Sequence, residues 1–126
     1  MISRYSFDSS KSGRISDMLM ETARFSRAIK DTSAAENISI NDFETLLLLM
    51  ERGPLSNVSL AGMLCKPQPN IVVSVKSLTE KGLIRSENTQ DGRCKRLIIT
   101  EKGRKYVQYL LSQAQENHNH LFKYSL

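Results

Sequence analysis

The chain has 126 residues, 40% of them hydrophobic and 25% charged, which suits one folded domain and leaves little room for a second. Its longest unbroken apolar run, Leu46 to Met50, is far too short to cross a bilayer, and Met1 to Lys11 carries Arg4, Asp8 and Lys11 where a signal peptide needs an apolar core. A soluble protein of the cytoplasm, without membrane partners, is therefore expected.

Residues 1–12 are rich in serine and poor in pattern, and they read as an irregular arm. Ile15, Met18, Leu19, Thr22, Phe25 and Ile29 then recur at helical spacing, with Asp17, Glu21, Arg24, Arg27 and Lys30 on the other side. That predicts a first helix across 13–36. After a break at Asn37–Ile40, a second helix is expected to start on Asn41 as N-cap, with Glu44 as its capping-box partner. It carries Phe43, Leu46, Leu47 and Met50 and stops at Gly53-Pro54. Ser56 can cap a short third helix bearing Val58, Leu60, Ala61 and Leu64. Beyond the break at Cys65-Lys66, Pro67 suits the first turn of a fourth helix, which buries Ile71, Val75 and Leu78 and ends at Gly82. Two β-prone runs follow, Leu83–Asn88 and Cys94–Thr100, joined through Asp91-Gly92, a pair that tolerates positive φ and signals a hairpin. Thr100 can cap a last helix over 101–126, with Tyr106, Val107, Leu110, Leu111, Ala114, Leu121 and Phe122 as its apolar residues.

Two helices joined by a tight break and followed at once by a hairpin describe a winged helix-turn-helix, here over 37–100. The fold expected is mainly α with a small β-hairpin. The first and last helices carry more apolar surface than so small a core can cover, which points to a dimerisation region built on Ile15, Met18, Leu19, Leu110, Leu111, Leu121 and Phe122.

Charge distribution points to the partner. The formal net charge is +5, but Leu60–Tyr106 holds ten Lys/Arg against four Asp/Glu, whereas the remainder holds eight against nine. The excess positive charge therefore sits where double-stranded DNA would meet the helix pair and hairpin. On the fourth helix, Pro69, Asn70, Val73, Lys76 and Ser77 project outward, with Gln68 in the first turn. An Asn amide can pair with an adenine edge, a Val can meet a thymine methyl, and Ser or Lys can reach a base or a phosphate. Arg93 at the hairpin tip, flanked by Lys95 and Arg96 and with Arg85 on the incoming strand, suits a narrow minor groove. Asp91 is placed to hold Arg93 by a carboxylate–guanidinium bond.

From Ile40 to Val107 the sequence resembles the MarR family of winged-helix regulators and its short Sar-type relatives. The resemblance rests on Leu60-Ala61, Leu64, the run Val75 to Ile84, Asp91-Gly92-Arg93 and Ile99 to Gly103, in order and at matching spacing. It implies a homodimer on pseudo-palindromic promoter DNA, with Arg93 in the minor groove and the fourth helix in the major groove. The chain departs from the family where Val73 stands in place of a mid-helix Arg, and where it ends at Leu126 without a further helix.

Other signals carry less. His118 and His120 stand two apart, so on a helix they point away from each other and read as surface histidines rather than a metal pair. Two cysteines are too few for a disulfide framework; Cys65 reads as a small buried residue or, were its pKa lowered, a redox switch, and Cys94 beside Arg93 and Lys95 has the more thiolate-friendly surroundings. No phosphate loop and no Ser/His/Asp arrangement is present, so neither enzyme activity nor a cofactor is expected. Three functions fit this architecture: a regulator, acting by repression or by competition, a winged-helix protein-interaction module, and a ligand-gated sensor whose effector the sequence does not name.

Overall fold

The computed structural model describes residues 12–124, with side chains from Arg14 to His118. The expected arm lies outside the described residues except for Ser12, which already belongs to the first helix. That helix, α1 (Ser12–Ala35), is followed by α2 (Ile40–Arg52), α3 (Asn57–Leu64), α4 (Gln68–Glu80), a hairpin of β1 (Ile84–Asn88) and β2 (Lys95–Ile99), and α5 (Glu101–Tyr124).

Polar caps set most of these boundaries. Ser56 accepts from the Ser59 N–H at 3.1 Å and starts α3, and Thr100 accepts from the Gly103 N–H at 3.0 Å and starts α5, both as expected. The start of α2 differs. Ser39, in an extended conformation, accepts from the Asp42 N–H at 3.0 Å, so the helix begins at Ile40 rather than after Asn41. Ser39 and Asn41 are both good caps, and the earlier one adds two residues of helix while Asn41 is freed for another bond. Gly53 ends α2 at φ +82, a left-handed conformation that a glycine adopts without strain. At the head of α4, Pro67 stands one position outside the helix and Pro69 lies in the first turn, where a missing N–H costs no hydrogen bond.

α2 supplies the centre of the core. Phe43, Leu46 and Leu49 are fully enclosed, and around them pack Leu60, Ile71, Leu78, Leu83, Ile84, Leu97, Ile99, Val107 and Leu110. On α4 the buried residues are Ile71, Ser74 and Leu78, with Val75 only half-buried. A buried serine is invisible to a count of apolar residues, which is why Val75 looked like the inner residue.

The hairpin is antiparallel, with Ile84 opposite Ile99 and Asn88 opposite Lys95. A third short segment joins it. Leu55 donates to the Leu97 carbonyl at 3.2 Å and accepts from the Leu97 N–H at 2.7 Å, tying β2 to the chain just before α3.

α1 and α5 pack on each other. Thr32 of α1 accepts from the Asn117 amide at 2.8 Å, and the Tyr109 hydroxyl donates to Glu36 at 2.8 Å. His118, expected at the surface, has only 15% of its side chain exposed and stands 2.5 Å from Glu21, in an edge-type contact with the Phe25 ring. Its partners come from α1, which periodicity within one helix cannot show. Leu110 is likewise fully buried in the chain's own core, and Leu111 packs half-buried against that core, so neither is an outward apolar residue as expected. Ile15, Met18 and Leu19 do stand out, at 42%, 64% and 70% exposure. The side chains of His120, Leu121 and Phe122 lie outside the described residues.

Where α5 meets the hairpin the fit is close. A methyl group added at Gly103 would collide with the Leu83 carbonyl oxygen and stand 2.7 Å from Ile99 Cγ1. Gly103→Ala should therefore destabilise the fold by about 1–3 kcal/mol or more, the usual cost of overpacking against backbone. Urea unfolding would measure it, and an unchanged midpoint would contradict this packing.

Candidate nucleic-acid interface

With Ile71, Ser74 and Leu78 turned inward, α4 presents Gln68, Pro69, Asn70, Val73 and Lys76 to solvent. Val73 is 68% exposed and Val72 51%, so both side chains are open to a partner. Ser77 is different. It is half-buried, and its hydroxyl donates to Asp42 Oδ2 of α2 at 3.1 Å, so it serves the fold and is not a free outward group.

Two residues that sequence reading did not single out hold this helix pair in place. Asp42 is 6% exposed on the face of α2 that also carries Leu46 and Leu49. A carboxylate at that spacing is the one available sign that a polar partner waits opposite. Lys66, in the break between α3 and α4, bridges back to Glu44 at 2.9 Å and to the Asn41 side chain. Glu44 is thus a partner of Lys66 and not of the α2 cap.

In the wing, Arg93, Lys95 and Arg96 are all exposed, and no ion pair involves them among the described residues. Arg85 is also exposed but is tied to Glu87 on its own strand at 2.5 Å. Asp91 does not grip the Arg93 guanidinium as expected. Its carboxylate accepts from the Thr89 hydroxyl at 2.6 Å and from the Arg93 backbone N–H at 3.1 Å. The short aspartate side chain reaches its own turn more easily than the far end of an arginine, as in an Asx turn. With Gly92 at φ +70, these bonds shape the tip and leave the guanidinium free.

Both cysteines are free and exposed. Cys65 is not a small buried residue; it ends α3 in a left-handed conformation at φ +53. Between α1 and α2 lies a cavity of about 260 Å³ lined largely by apolar groups, Phe25, Ile29, Ile40, Phe43 and Leu47 among them, with Lys30 and Glu44. Among the described residues, no cluster of His, Cys, Asp or Glu could hold a metal, and no helix is long and apolar enough to cross a membrane.

A helix-turn-helix locked to a third helix and followed by an arginine-tipped hairpin defines a winged helix-turn-helix protein. Comparison with known proteins agrees. Residues 38–95 match the model of the MarR family. Among solved structures, the chain resembles a MarR-family transcriptional regulator from Silicibacter pomeroyi at 22% identity, covering 83% of this chain and 71% of that one, with a TM-score of 0.70. Wild-type MarR from E. coli in its apo form is 16% identical, with 90% and 83% covered and a TM-score of 0.77. The transcriptional regulator BldR from Sulfolobus solfataricus is 24% identical, with 93% and 86% covered and a TM-score of 0.69. No curated protein matches. Residues 38–95 thus resemble the MarR family, and the described fold is the one these solved structures share.

The wing turn has a pH dependence of definite sign. The Thr89 hydroxyl, and after it the Arg93 N–H, hold the Asp91 carboxyl below its ordinary value of 3.8. A depressed carboxyl keeps its bonds where an ordinary aspartate would protonate, and loses them as the pH falls further. The Arg93 amide resonance should therefore titrate with a midpoint below 3.8; a midpoint at or above it would contradict the hydrogen-bonded turn.

Proposed function

We propose that this protein is a sequence-specific, non-enzymatic DNA-binding transcriptional regulator, acting in the cytoplasm as a homodimer on pseudo-palindromic promoter sites and repressing by occupying them. The observation that carries this reading is the pairing of two free surfaces on consecutive elements of one rigid frame. One is the exposed face of α4; the other is the unpaired cationic tip of the wing.

Each surface has its own task. Asn70 reads an adenine edge and Val73 meets a thymine methyl in the major groove. Lys76, Lys95 and Arg96 neutralise phosphates, and Arg93 enters the minor groove, where the potential is most negative. Gln68 and Pro69, in the first turn of α4, border the same groove. Arg85 contributes less, because its Glu87 partner must first be given up. Exposed Ile15, Met18 and Leu19 on α1 form the apolar surface that a second copy covers. Two-fold symmetry then places two α4 helices in successive major grooves about 34 Å apart.

Selection from a pool of random duplexes should yield a two-fold symmetric site. On that site Asn70→Ala should flatten the preference at one position of each half, at roughly 1–3 kcal/mol, whereas Lys95→Ala should weaken all sequences alike. An equal loss at every sequence for Asn70→Ala would assign specificity to DNA shape read by the wing. Sedimentation should give twice the chain mass of 14.3 kDa. Met18→Glu combined with Leu19→Glu should yield folded monomers, because those side chains lie outside the core. A wild type that stays monomeric at high concentration would reject the dimer.

A further inference from the structure

The core that carries α4 is almost wholly apolar, but its contact with the N-terminal end of α2 is not. Asn41, Asp42 and Glu44 lie there, and each holds part of the helix-turn-helix. Lys66, only 22% exposed, bonds to Asn41 and to Glu44 from the break that precedes α4. Asp42, buried, takes the Ser77 hydroxyl from the third turn of α4 itself. One turn of α2 thus holds the reading head at two places.

Apolar burial is non-directional: it fixes how deep a helix sits but resists rotation and sliding only through shape. Hydrogen bonds and charge-assisted pairs are directional, and two of them far apart on the same unit set its angle. The need is acute here. The break before α4 turns through a left-handed Cys65, a non-glycine residue that the surrounding structure has to hold. A base contact, in turn, requires the side chain to arrive within about half an ångström of its target.

We propose that Glu44 with Lys66, and Asp42 with Ser77, are positioning residues that set the angle at which α4 enters the groove, and through it the sequence preference of the protein. This rests on the DNA-binding reading and deepens it. Because Glu44 is 37% exposed, its pair with Lys66 adds little to stability and acts on readout more than on folding, whereas the buried Asp42–Ser77 bond serves both.

Glu44→Gln tests the idea without removing a cation that DNA might contact, and Ser77→Ala tests the second point of contact. The site obtained by selection with the wild type is compared with its single-base variants, and melting temperature is followed in parallel. Each substitution should cut the preference for the selected site, a ratio of affinities of the same folded protein, by about five- to tenfold, part of what one base contact carries. Glu44→Gln should move the melting temperature by no more than about 2 °C, whereas Ser77→Ala, which leaves the buried Asp42 carboxylate short of a partner, should lower it by several degrees. Combining Glu44→Gln with Lys66→Met should erode the preference no more than Lys66→Met alone, since both break one bond. Unchanged preference in both single variants would overturn the proposal. So would a loss in Glu44→Gln that merely tracks a falling melting temperature. A wild type with no preference for any duplex would instead overturn the DNA-binding reading itself.

Discussion

The burial of one face of α4 against α2 is the constraint on which the rest depends. Ile71, Ser74 and Leu78 have no contact with solvent or nearly none, and this leaves the opposite face with no role in the fold. Asn70 and Val73 are free for a partner only because their neighbours on the helix are spent. The polar clasp from Asn41, Asp42 and Glu44 adds direction to that seat, and the Ser39 cap that starts α2 places all three within its first five residues.

The wing depends on the same frame by a different route. β1 and β2 project from the core and would be a marginal two-stranded ribbon alone. Leu83, Ile84, Leu97 and Ile99 root it in the core, the Leu55–Leu97 bridge adds two backbone hydrogen bonds at its base, and Gly103 lets α5 press directly on the Leu83 carbonyl. Only the distal half is left to water, and that half carries Arg93, Lys95 and Arg96. A stable base and a solvated cationic tip are what insertion into a groove requires.

Much of this was legible in the sequence because it is local. Ser56, Thr100, Gly53 and Gly82 mark helix ends through bonds within four residues, and Asp91-Gly92 marks the hairpin in the same way. What escaped notice was non-local. Asn41, expected to cap α2, instead bonds Lys66, 25 positions further along the chain. Ser77 looked outward until Asp42, 35 positions earlier, proved to hold it. Leu110 and His118 looked like surface residues of α5 because their partners come from other elements. Val75 and Ser74 exchanged places because periodicity weighs polarity, whereas burial on a helix depends on angle. For the interface itself, the residue types and the order of elements were readable; which of the cations were already paired was not.

The central claim is that the free cations of α4 and the wing exist to neutralise phosphates. Its most direct test is the affinity of the wild-type protein for duplex DNA measured across a range of salt concentrations. Lys76, Arg93, Lys95 and Arg96 in each half of a dimer would release counterions from about eight phosphates, so the logarithm of the binding constant should fall against the logarithm of salt with a slope of about −7. A slope near zero, or no duplex binding at low salt, would contradict the account and leave the winged helix as a surface for protein partners.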